Sequence, residues 1–565
     1  MDIIKTLSLI YKKKELIFFL ILLGGGTIVT LLDLISFLFI IPLFNIIFLD
    51  QNIIFFNIKV DVADNNIKIL VIILFVLLFI FKNLLIIYYN HIYVNFFKNI
   101  KTRISGELFK KYLNQDYIFL TKNSSKNLLQ KITHDVDNLD SLLNAFIILF
   151  VEILFVIGIL FILFLSNSKI FLILFFIFFI VGSLYFMLVK NKIKSWSAEY
   201  HQNIGNVNNI IIEGMNGFKD IIFYNLKDYF YNKLNANKAS ANHLVARLNF
   251  LNQIQKYWLE IVGVIIISFS LMYFTIINLD IFKLLPILGL FLISMFRLLS
   301  SLGKIFATSQ NLKFYYPSLQ SVKNYLVNLK LKKNIISDKK FNFVKNIKFN
   351  NVSFNYTPET LPILKNINLE INKNEFILIT GKNGSGKSTF LNLISGFLQP
   401  TEGQIIIDDM FDIFQNKDSL IKNSSYVQQN IFLLDTTILN NITLFKDKLI
   451  DNNKINSIIQ LLQLKEYFKS LPGNLNYEVG FNGLKLSGGQ KQLISLARAL
   501  YKDSDILFFD EPTSALDKNV KSLFVKSLDL LKGNKTIFII THEIEIFNDH
   551  YDRIINIDNN QIFIS

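Results

Sequence analysis

Apolar residues are concentrated in long runs within the first 305 residues of this 565-residue chain. Each run is about 20 residues long or longer, which is the length of helix that crosses a hydrocarbon layer about 30 Å thick. The pattern therefore predicts a membrane domain over residues 1–305 with six transmembrane helices. The predicted spans are Leu16–Ile41, Ile67–Tyr89, Ala145–Leu165, Ile170–Val189, Trp258–Ile277 and Leu284–Leu302.

The polar segments between these spans differ in charge. Those after the second and fourth spans are long and rich in lysine and arginine, whereas the opposite loops carry few basic residues. Because basic loops stay in the cytoplasm, we expect both termini and both long segments on that side of the membrane. The first apolar run continues to Ile41, which is too long for the core of a cleaved signal peptide, so it is predicted to be the first transmembrane helix.

Both long segments lack proline and show helical rather than alternating patterning. We expect the membrane helices to continue into the cytoplasm, with turns near Gln115–Lys122 and Phe223–Asp228. On the opposite side, Asn45–Asn66 forms the largest loop. Its first part, Phe44–Ile58, is rich in Ile and Phe, which leaves open a helix lying in the outer interface of the membrane.

The pattern of the chain changes after residue 305. A polar, lysine-rich stretch over residues 306–340 is predicted to be a linker. Residues 341–565 are typical of an α/β domain, whose first strands are predicted over Ile347–Asn355 and Ile367–Ile371. The fold class is therefore a helical membrane domain fused to an α/β phosphate-loop domain.

The overall composition adds fewer constraints. The formal net charge is +15, but much of the positive charge lies beside apolar spans, where membrane topology explains it. We therefore expect no nucleic-acid partner. Cysteine is absent, which excludes a disulfide framework, a thiolate metal site and a thiol nucleophile.

A glycine-rich motif follows the predicted strand Phe376–Thr380. Residues 381–388 read Gly-Lys-Asn-Gly-Ser-Gly-Lys-Ser and satisfy the phosphate-loop pattern. Backbone N–H groups of such a loop converge on phosphates, the lysine adds a mobile cation, and the last hydroxyl is a ligand for Mg²⁺. The candidate ATP-binding residues here are Gly381, Asn383, Gly384, Ser385, Gly386, Lys387, Ser388 and Thr389.

Two further motifs lie downstream of the phosphate loop. The apolar strand Ile506–Phe509 leads into Asp510 and Glu511, and carboxylates at a strand end can hold Mg²⁺ and polarise an attacking water. Between the loop and this strand stands Leu-Ser-Gly-Gly-Gln at residues 486–490. With all three motifs in this order, the sequence resembles the ATP-binding cassette (ABC) ATPases.

The resemblance implies roles for single side chains in hydrolysis. Asp510 and Ser388 are implied to hold Mg²⁺, together with Gln429 of the segment Tyr-Val-Gln-Gln at 426–429. Glu511 is implied to be the general base, and His542 is implied to contact the γ-phosphate. The cofactors expected on this basis are ATP and Mg²⁺.

The resemblance also implies residues that bind nucleotide away from the phosphate loop. Tyr356 is implied to stack on adenine, and Asp517 is implied to reach across an interface between two cassettes. The signature residues Ser487, Gly488, Gly489 and Gln490 are implied to cap the ATP of a second cassette. Because the chain contains one cassette, the expected assembly is a homodimer with two composite ATP sites.

Across its length the chain resembles bacterial half-transporters of the exporter type, which implies an inner-membrane protein with its ATPase in the cytoplasm. In that family the two cytoplasmic turns are coupling helices. ATP binding is implied to close the cassettes and to turn an inward-facing cavity outward, and hydrolysis resets it. A ligand can drive such a change only if it binds one state better than the other.

Ionisable residues inside the spans are costly and point to function. They are Asp33, Lys82, Glu152, Glu260 and Arg297, with Lys304 near the end of the sixth span. Lys82, Arg297 and Lys304 are the candidate substrate residues, because three cations in a cavity would suit an anionic headgroup such as a pyrophosphate. Snorkelling, or pairing with the acids in the same spans, is the alternative.

Four short segments resemble bacterial lipid-linked-oligosaccharide flippases. They are Phe79–Leu85, Trp258–Glu260, Phe296–Leu299 and Tyr315–Leu319. The expected substrate is therefore a polyprenyl-pyrophosphate-linked oligosaccharide. A multidrug, lipid or peptide exporter is the main alternative. An ATP-gated channel or regulatory ABC protein is less consistent with an intact Glu511 and signature.

Overall fold

The computed structural model divides the chain into two compact units. The described residues are 10–39, 53–55, 58–60, 65–122, 125–166, 168–276, 281–329, 343–357, 361–445, 450–469, 471–514, 516–547 and 550–564. One unit, called here the membrane unit, comprises Met1–Gln115 and Leu120–Lys332. The other, called the α/β unit, comprises Asp116–Phe119 and Lys333–Ser565.

The regular elements before residue 330 are almost all helical. They are α1 Lys13–Leu38, α2 Asn65–Leu113, α3 Tyr117–Lys122, α4 Ser125–Gln130, α5 Val136–Ser166, α6 Ser168–Asn216, α7 Phe218–Phe223, α8 Lys227–Ile276 and α9 Ile281–Asn328. A π-helical turn, Lys131–Asp135, joins α4 to α5.

Several of these helices are much longer than a bilayer is thick. Helices α2 and α6 have 49 residues each. At 1.5 Å per residue each is about 70 Å long, against a hydrocarbon layer of about 30 Å. The prediction that the long polar segments are helical continuations of the spans is confirmed.

Within the described residues, three helical stretches are long and apolar enough to cross a membrane. These are Lys13–Leu38, Ile69–Leu113 and Leu128–Leu165. They contain the first three predicted spans almost completely. The other three predicted spans fall in α6, α8 and α9, where some of the side chains lie outside the described set.

Helix α9 corrects the predicted linker. It extends from Ile281 to Asn328, so residues 306–328 are helical and belong to the membrane unit, whereas the sequence predicted a linker over residues 306–340. This part of α9 stays helical because it packs against the membrane unit, burying Leu312, Leu319, Val322 and Leu326 in one apolar cluster, and most helical stability in proteins comes from such packing. Residues 330–340 of the predicted linker lie outside the described residues.

In the predicted external loop, the sequence left open a helix lying in the membrane interface, and the structure shows two short strands. Strands β1 Ile53–Phe55 and β2 Ile58–Val60 pair antiparallel within it. β-Branched and aromatic residues dominate these strands, and such residues favour extended backbone over helix. The possible helix over Phe44–Ile58 is therefore wrong for its C-terminal part, and residues 44–52 lie outside the described chain.

Close helix packing in the membrane unit depends on small residues. A Cβ atom added to Gly158 of α5 would lie 2.1 Å from Leu34 Cδ1 of α1. A Cβ added to Gly263 of α8 would lie 2.7 Å from Leu299 Cδ1 of α9. Glycine at these positions lets neighbouring helices approach, as is common between membrane helices.

The α/β unit contains two sheets. Its strands are β3 Asn346–Phe354, β4 Leu364–Asn372, β5 Phe376–Gly381, β6 Glu402–Ile407, β7 Phe411–Asp412, β8 Ser424–Val427, β9 Ile506–Asp510, β10 Thr536–Ile540, β11 Arg553–Asp558 and β12 Gln561–Ile564. Its α-helices are α10 Lys387–Ile394, α11 Lys417–Asn423, α12 Ile438–Thr443, α13 Asn452–Leu461, α14 Leu464–Phe468, α15 Gly488–Lys502 and α16 Lys518–Asp529.

The larger sheet positions the chemistry. Its order is β12-β11-β5-β10-β9-β8, and all neighbours are parallel except β12 against β11. Strands β5, β9 and β10 are apolar and almost completely buried, as is typical of a parallel sheet covered on both faces. Their carboxyl ends meet at one edge, where open α/β sheets bind ligands. The smaller sheet, β4-β3-β6-β7, is antiparallel.

A short segment from between the membrane helices belongs to the α/β unit. Asp116–Phe119 is grouped with it, and the ring of Tyr117 lies 5.9 Å from that of Phe397. Ile118 packs against the buried apolar cluster of this unit. Residues 116–119 of the first turn predicted to contact the ATPase, Gln115–Lys122, are therefore part of the α/β unit itself.

Candidate functional site

The phosphate loop connects β5 to α10 and requires glycine at its two ends. Gly381 has φ of 141°, and a Cβ there would lie 2.3 Å from the Ile557 carbonyl oxygen. Gly386 has φ of 106°, and its Cβ would lie 2.9 Å from Ile363 Cγ2. Other residues are strained at these angles, so the glycines fix the curvature that turns the loop backbone inward.

The lysine of the loop is held by the loop itself. Lys387 Nζ donates hydrogen bonds to the carbonyl oxygens of Gly381 at 2.9 Å and of Lys382 at 3.0 Å. Burial lowers the pKa of Lys387, while the carboxylates of Glu511 and Asp510 act in the opposite direction. The ammonium group thus lies close to the two acids and is positioned for an anion such as phosphate.

The remaining loop residues surround this lysine. Asn383 and Gly384 form the tip of the loop, while Ser388 and Thr389 lie in the first turn of α10, where N–H groups are unpaired. The buried Ser385 Oγ has no hydrogen-bond partner among the described residues. Tyr356 Oη lies 3.3 Å from Thr389 Oγ1 and its side chain is exposed, which leaves a ring available beside the loop.

Asp510 ends β9 and is half-buried. Burial raises the pKa of this carboxyl, and the neighbouring Glu511 carboxylate raises it further, while Lys387 and a hydrogen bond from the Tyr426 hydroxyl lower it. A carboxylate that lacks full charge compensation is suited to a divalent cation. Within the described residues no three His, Cys, Asp or Glu side chains form a metal-binding group, so Mg²⁺ here would rely on phosphates and water as well.

Glu511 lies between two other predicted residues. Gln429 Nε2 donates a 2.6 Å hydrogen bond to Glu511 Oε2, and His542 Nε2 lies 3.5 Å from Glu511 Oε1. The backbone of Glu511 is left-handed, with φ of 49°. A non-glycine residue held at this angle is uncommon and is often found at functional sites. The structure therefore brings Gln429, Glu511 and His542 together at the carboxyl ends of the strands.

The signature segment begins helix α15. The Ser487 hydroxyl accepts from Gln490 N at 3.2 Å, and Ser487 N donates to Gln490 Oε1 at 2.9 Å, which closes a capping box. Gly488 and Gly489 form the first turn, with Ser487 and Gly488 exposed. An exposed helix N-terminus is suited to an anion, and its contact with the ATP of a second subunit stays a prediction.

Asp517 caps a different helix. Its Oδ1 accepts from Val520 N at 2.8 Å at the start of α16, and its Oδ2 accepts from the Tyr467 hydroxyl at 3.2 Å. Both oxygens of the carboxylate are therefore engaged within the subunit. A role across a dimer interface remains a prediction.

The three candidate substrate cations line one cavity of about 760 Å³ in the membrane unit. Lys82 Nζ lies 2.7 Å from Asp33 Oδ1 and 2.9 Å from Ser36 Oγ, and its side chain is only 9% exposed. Arg297 contacts Asp33 Oδ2 at 3.3 Å and is 38% exposed. Lys82 is thus shielded by its partners, whereas Arg297 is more exposed and contacts Asp33 through one of its nitrogens, Nη2.

The third cation has its own acid. Lys304 Nζ lies 2.6 Å from Glu152 Oε1, with side chains 49% and 8% exposed respectively. The predicted alternative was that these cations pair with acidic residues of the spans, and the structure shows such a pair for each of the three. All three cations still line the cavity. Glu260 lies outside this cavity and is exposed, 3.9 Å from Lys256 Nζ.

Two contacting residues were not predicted from the sequence. The Tyr426 hydroxyl donates to Asn392 Oδ1 at 3.5 Å and lowers the pKa of the Asp510 carboxyl, and its only sequence signal is its place in the segment that ends at Gln429. Ser36 accepts from Lys82, and a lone serine in an apolar span gives no signal of its own. The acids Asp33 and Glu152 were noted only as ionisable residues, and their partners become evident from the helix packing.

Comparison with known proteins agrees with these two units. Residues 364–514 match the family described as ABC transporter, and residues 27–300 match the ABC transporter transmembrane region. The chain is 27% identical over 464 residues to ATP-dependent lipid A-core flippase 2 of Colwellia psychrerythraea, covering 81% of this chain and 78% of that one. It is 29% identical over 451 residues to the ATP-dependent lipid A-core flippase of Wigglesworthia glossinidia brevipalpis, covering 78% and 76%.

Two other similar proteins are not named as lipid A-core flippases. Over 218 residues the chain is 38% identical to a putative multidrug export ATP-binding/permease protein of Staphylococcus aureus, covering 38% of this chain and 37% of that one. A solved bacterial Atm1-family ABC exporter with ATP bound aligns with a TM-score of 0.73 at 19% identity. It covers 97% of this chain and 94% of that chain, and at this identity it shows the fold alone.

Proposed function

The chain belongs to the ABC transporter family as an exporter with fused membrane and ATPase domains, and we propose that it moves a polyprenyl-pyrophosphate-linked oligosaccharide across the membrane. ATP hydrolysis by the α/β unit drives this export. The proposal concerns the substrate, the assembly and the roles of single residues.

The observation that carries the substrate proposal is the charged cavity of the membrane unit. Arg297 and Lys304 are partly exposed to a space of about 760 Å³ that is otherwise lined largely by apolar and aromatic side chains. Such a lining suits an amphipathic molecule, and the two cations suit its anionic headgroup, because charged groups are retained inside membranes chiefly for function. A pyrophosphate offers acceptor oxygens for Arg297, and Lys304 lies further along the same cavity.

The relatives named as lipid A-core flippases favour the same chemistry, since they act by name on a glycolipid. A phosphorylated glycolipid of another kind is therefore the second candidate. A multidrug exporter is the third, and the similarity behind it covers only 38% of the chain.

In the proposed cycle, ATP and Mg²⁺ bind at the phosphate loop, Ser388, Gln429 and Asp510, and Glu511 polarises the attacking water. His542 contacts the γ-phosphate. Ser487 and its glycines cap the ATP of the other subunit in a homodimer, because one chain carries one phosphate loop and one signature. We place the protein in a bacterial inner membrane with the ATPase and both termini in the cytoplasm.

The test is ATP-dependent translocation in proteoliposomes with three probes side by side. The probes are a polyprenyl-pyrophosphate-linked oligosaccharide, a phosphorylated glycolipid and a cationic dye. We expect the pyrophosphate-linked glycan to move at the highest rate, and Arg297→Gln to slow it at least tenfold. Transport of the dye without transport of either glycolipid would overturn the proposal and leave the ATPase assignment intact.

A further inference from the structure

The charged groups of the cavity lie at two levels. Arg297 and Lys304 are seven residues apart on α9, which places them on one face about 10 Å apart along the helix axis. Helix α5 shows the same order of levels, since Phe155 packs under the Arg297 guanidinium at 4.5 Å while Glu152, three residues earlier, contacts Lys304 at 2.6 Å. With the expected topology, the level of Lys304 and Glu152 is nearer the cytoplasm.

At the level of Arg297, both oxygens of the acidic residue already have partners. Asp33 uses Oδ1 for Lys82 and Oδ2 for Arg297, so both of its oxygens are engaged. Lys82 in turn has Asp33, the Ser36 hydroxyl and the ring of Phe79 at 3.9 Å. Among the charged groups at this level, the unused capacity lies in the Arg297 guanidinium, whose donors can only bind an acceptor such as a phosphate oxygen.

The level of Lys304 differs, because only one of the two carboxylate oxygens of Glu152 has a hydrogen-bond partner among the described residues. Glu152 Oε1 accepts from Lys304, but the buried Glu152 Oε2 has no hydrogen-bond partner within the described part of the chain. A buried carboxylate oxygen without a donor is costly, and such groups usually receive a hydrogen bond. Glu152 also lines the cavity, so rotation about the terminal bond of its side chain can turn Oε2 toward a bound molecule that supplies the missing donor.

Resting on the proposed function, we propose that Glu152 is a specificity-determining residue that accepts a hydrogen bond from the first sugar of the substrate. The sugar is bonded directly to the pyrophosphate, so a headgroup anchored at Arg297 carries its hydroxyl and amide N–H donors toward the level of Glu152. A bare polyprenyl pyrophosphate has no donor to offer there once it is ionised. The cavity therefore selects glycosylated over bare lipid pyrophosphate.

The experiment compares two probes in proteoliposomes that contain the full-length protein. One is a polyprenyl pyrophosphate that carries a single N-acetylhexosamine, and the other is the same lipid without sugar. The readout is the KM for lipid-stimulated ATP hydrolysis. We expect the wild type to show a KM roughly 10- to 100-fold lower for the glycosylated lipid, as for a hydrogen bond to a charged group. Glu152→Gln should bring the two KM values within about threefold.

Asp33→Asn is the matched control. It removes a second carboxylate of the same cavity, but one whose oxygens are both engaged, so it should change both KM values alike and keep their ratio. Should Glu152→Gln fail to fold, a wild-type assay with deoxy-sugar versions of the glycosylated lipid tests the same hydrogen bond. Loss of one sugar donor must then raise the KM about tenfold.

The outcomes separate this inference from the proposed function. Equal KM values for the two lipids in the wild type, with both stimulating hydrolysis, would overturn the role of Glu152 and leave the lipid-pyrophosphate assignment standing. A preference that Glu152→Gln leaves unchanged would do the same. If neither lipid stimulates hydrolysis while the phosphorylated glycolipid or the dye does, the proposed substrate falls and the inference falls with it.

Discussion

The side chains of Gln429 and Glu511 are joined by a 2.6 Å hydrogen bond between the amide Nε2 and the carboxylate Oε2. The contact links the segment after β8 to the end of β9, so the carboxylate is oriented by a neighbouring strand connection. Because Glu511 also has His542 Nε2 at 3.5 Å, its two oxygens point toward different partners. A general base needs such orientation before its basicity matters.

Gln429→Ala removes this hydrogen bond and should reduce the rate of ATP hydrolysis about tenfold, with little effect on ATP affinity. The neighbouring Gln428→Ala is the matched control and should leave the rate unchanged, because Gln428 is exposed. Steady-state phosphate release measures both. In a Glu511→Gln background, Gln429→Ala should add little further loss, and full additivity of the two effects would contradict the contact.

Tyr426→Phe removes a hydroxyl that donates to Asn392 Oδ1 at 3.5 Å and that also lowers the pKa of the Asp510 carboxyl. We expect the Mg²⁺ concentration for half-maximal hydrolysis to rise roughly fivefold, the value of one ordinary hydrogen bond. Nucleotide binding in EDTA should stay the same, which separates a metal effect from a loss of folding. An unchanged Mg²⁺ titration would show that the hydroxyl does not support the carboxylate.

Lys82→Met leaves Asp33 in the membrane unit with only Arg297 as a charged partner. The expected loss of stability is roughly 2 kcal/mol, below the about 3–5 kcal/mol of a fully unpaired buried charge. Thermal unfolding in detergent measures it. The double variant Lys82→Met/Asp33→Asn should recover most of the loss, whereas Lys256→Met, from an exposed pair, should cause none. Failure of the double variant to recover would contradict the pairing.

His201 makes the stability of the membrane unit depend on pH. Burial lowers the pKa of His201 from 6.5 to about 4, with Asp135 Oδ1 at 3.8 Å from Nδ1. The folded state then binds fewer protons than the unfolded state between these values. The contribution of His201 to stability is therefore fully present above about pH 6.5 and falls as the pH drops toward 4, by at most about 3 kcal/mol. Burial raises the pKa of Asp135 to about 6, so protonation of this carboxyl stabilises the folded state over the same range and offsets part of the loss.

The unfolding temperature at about pH 7.5, 6 and 5 tests this effect. His201→Gln should lose less stability on acidification than the wild type. The exposed His243→Gln is the control and should follow the wild type. Equal acid sensitivity of His201→Gln and the wild type would show that another group is responsible.

Much of the fold and of the ATP site could be predicted because each depends on local patterns. The phosphate loop has glycines at positions where only glycine avoids a clash, as Gly381 shows against Ile557, so spacing alone identifies it. Apolar strands that end in Asp510 or Thr541 meet at one sheet edge, which follows from parallel pairing.

What could not be predicted depends on partners distant in sequence. Asp33 and Arg297 are 264 residues apart, and only the packing of α1 and α9 brings them together. The end of α9 was misplaced because polar composition marks the membrane boundary and not the end of a helix. In the external loop, β1 and β2 require pairing that amphipathicity does not reveal.

The measurement that most directly tests the account is translocation of a fluorescent polyprenyl-pyrophosphate-linked oligosaccharide in proteoliposomes, wild type against Glu511→Gln. We expect ATP-dependent movement in the wild type. In the variant, ATP should still bind, hydrolysis should fall by about 10²- to 10⁴-fold, and movement beyond a single turnover should stop. Sustained movement of the glycan lipid by Glu511→Gln, or none by a wild type that hydrolyses ATP, would contradict the account.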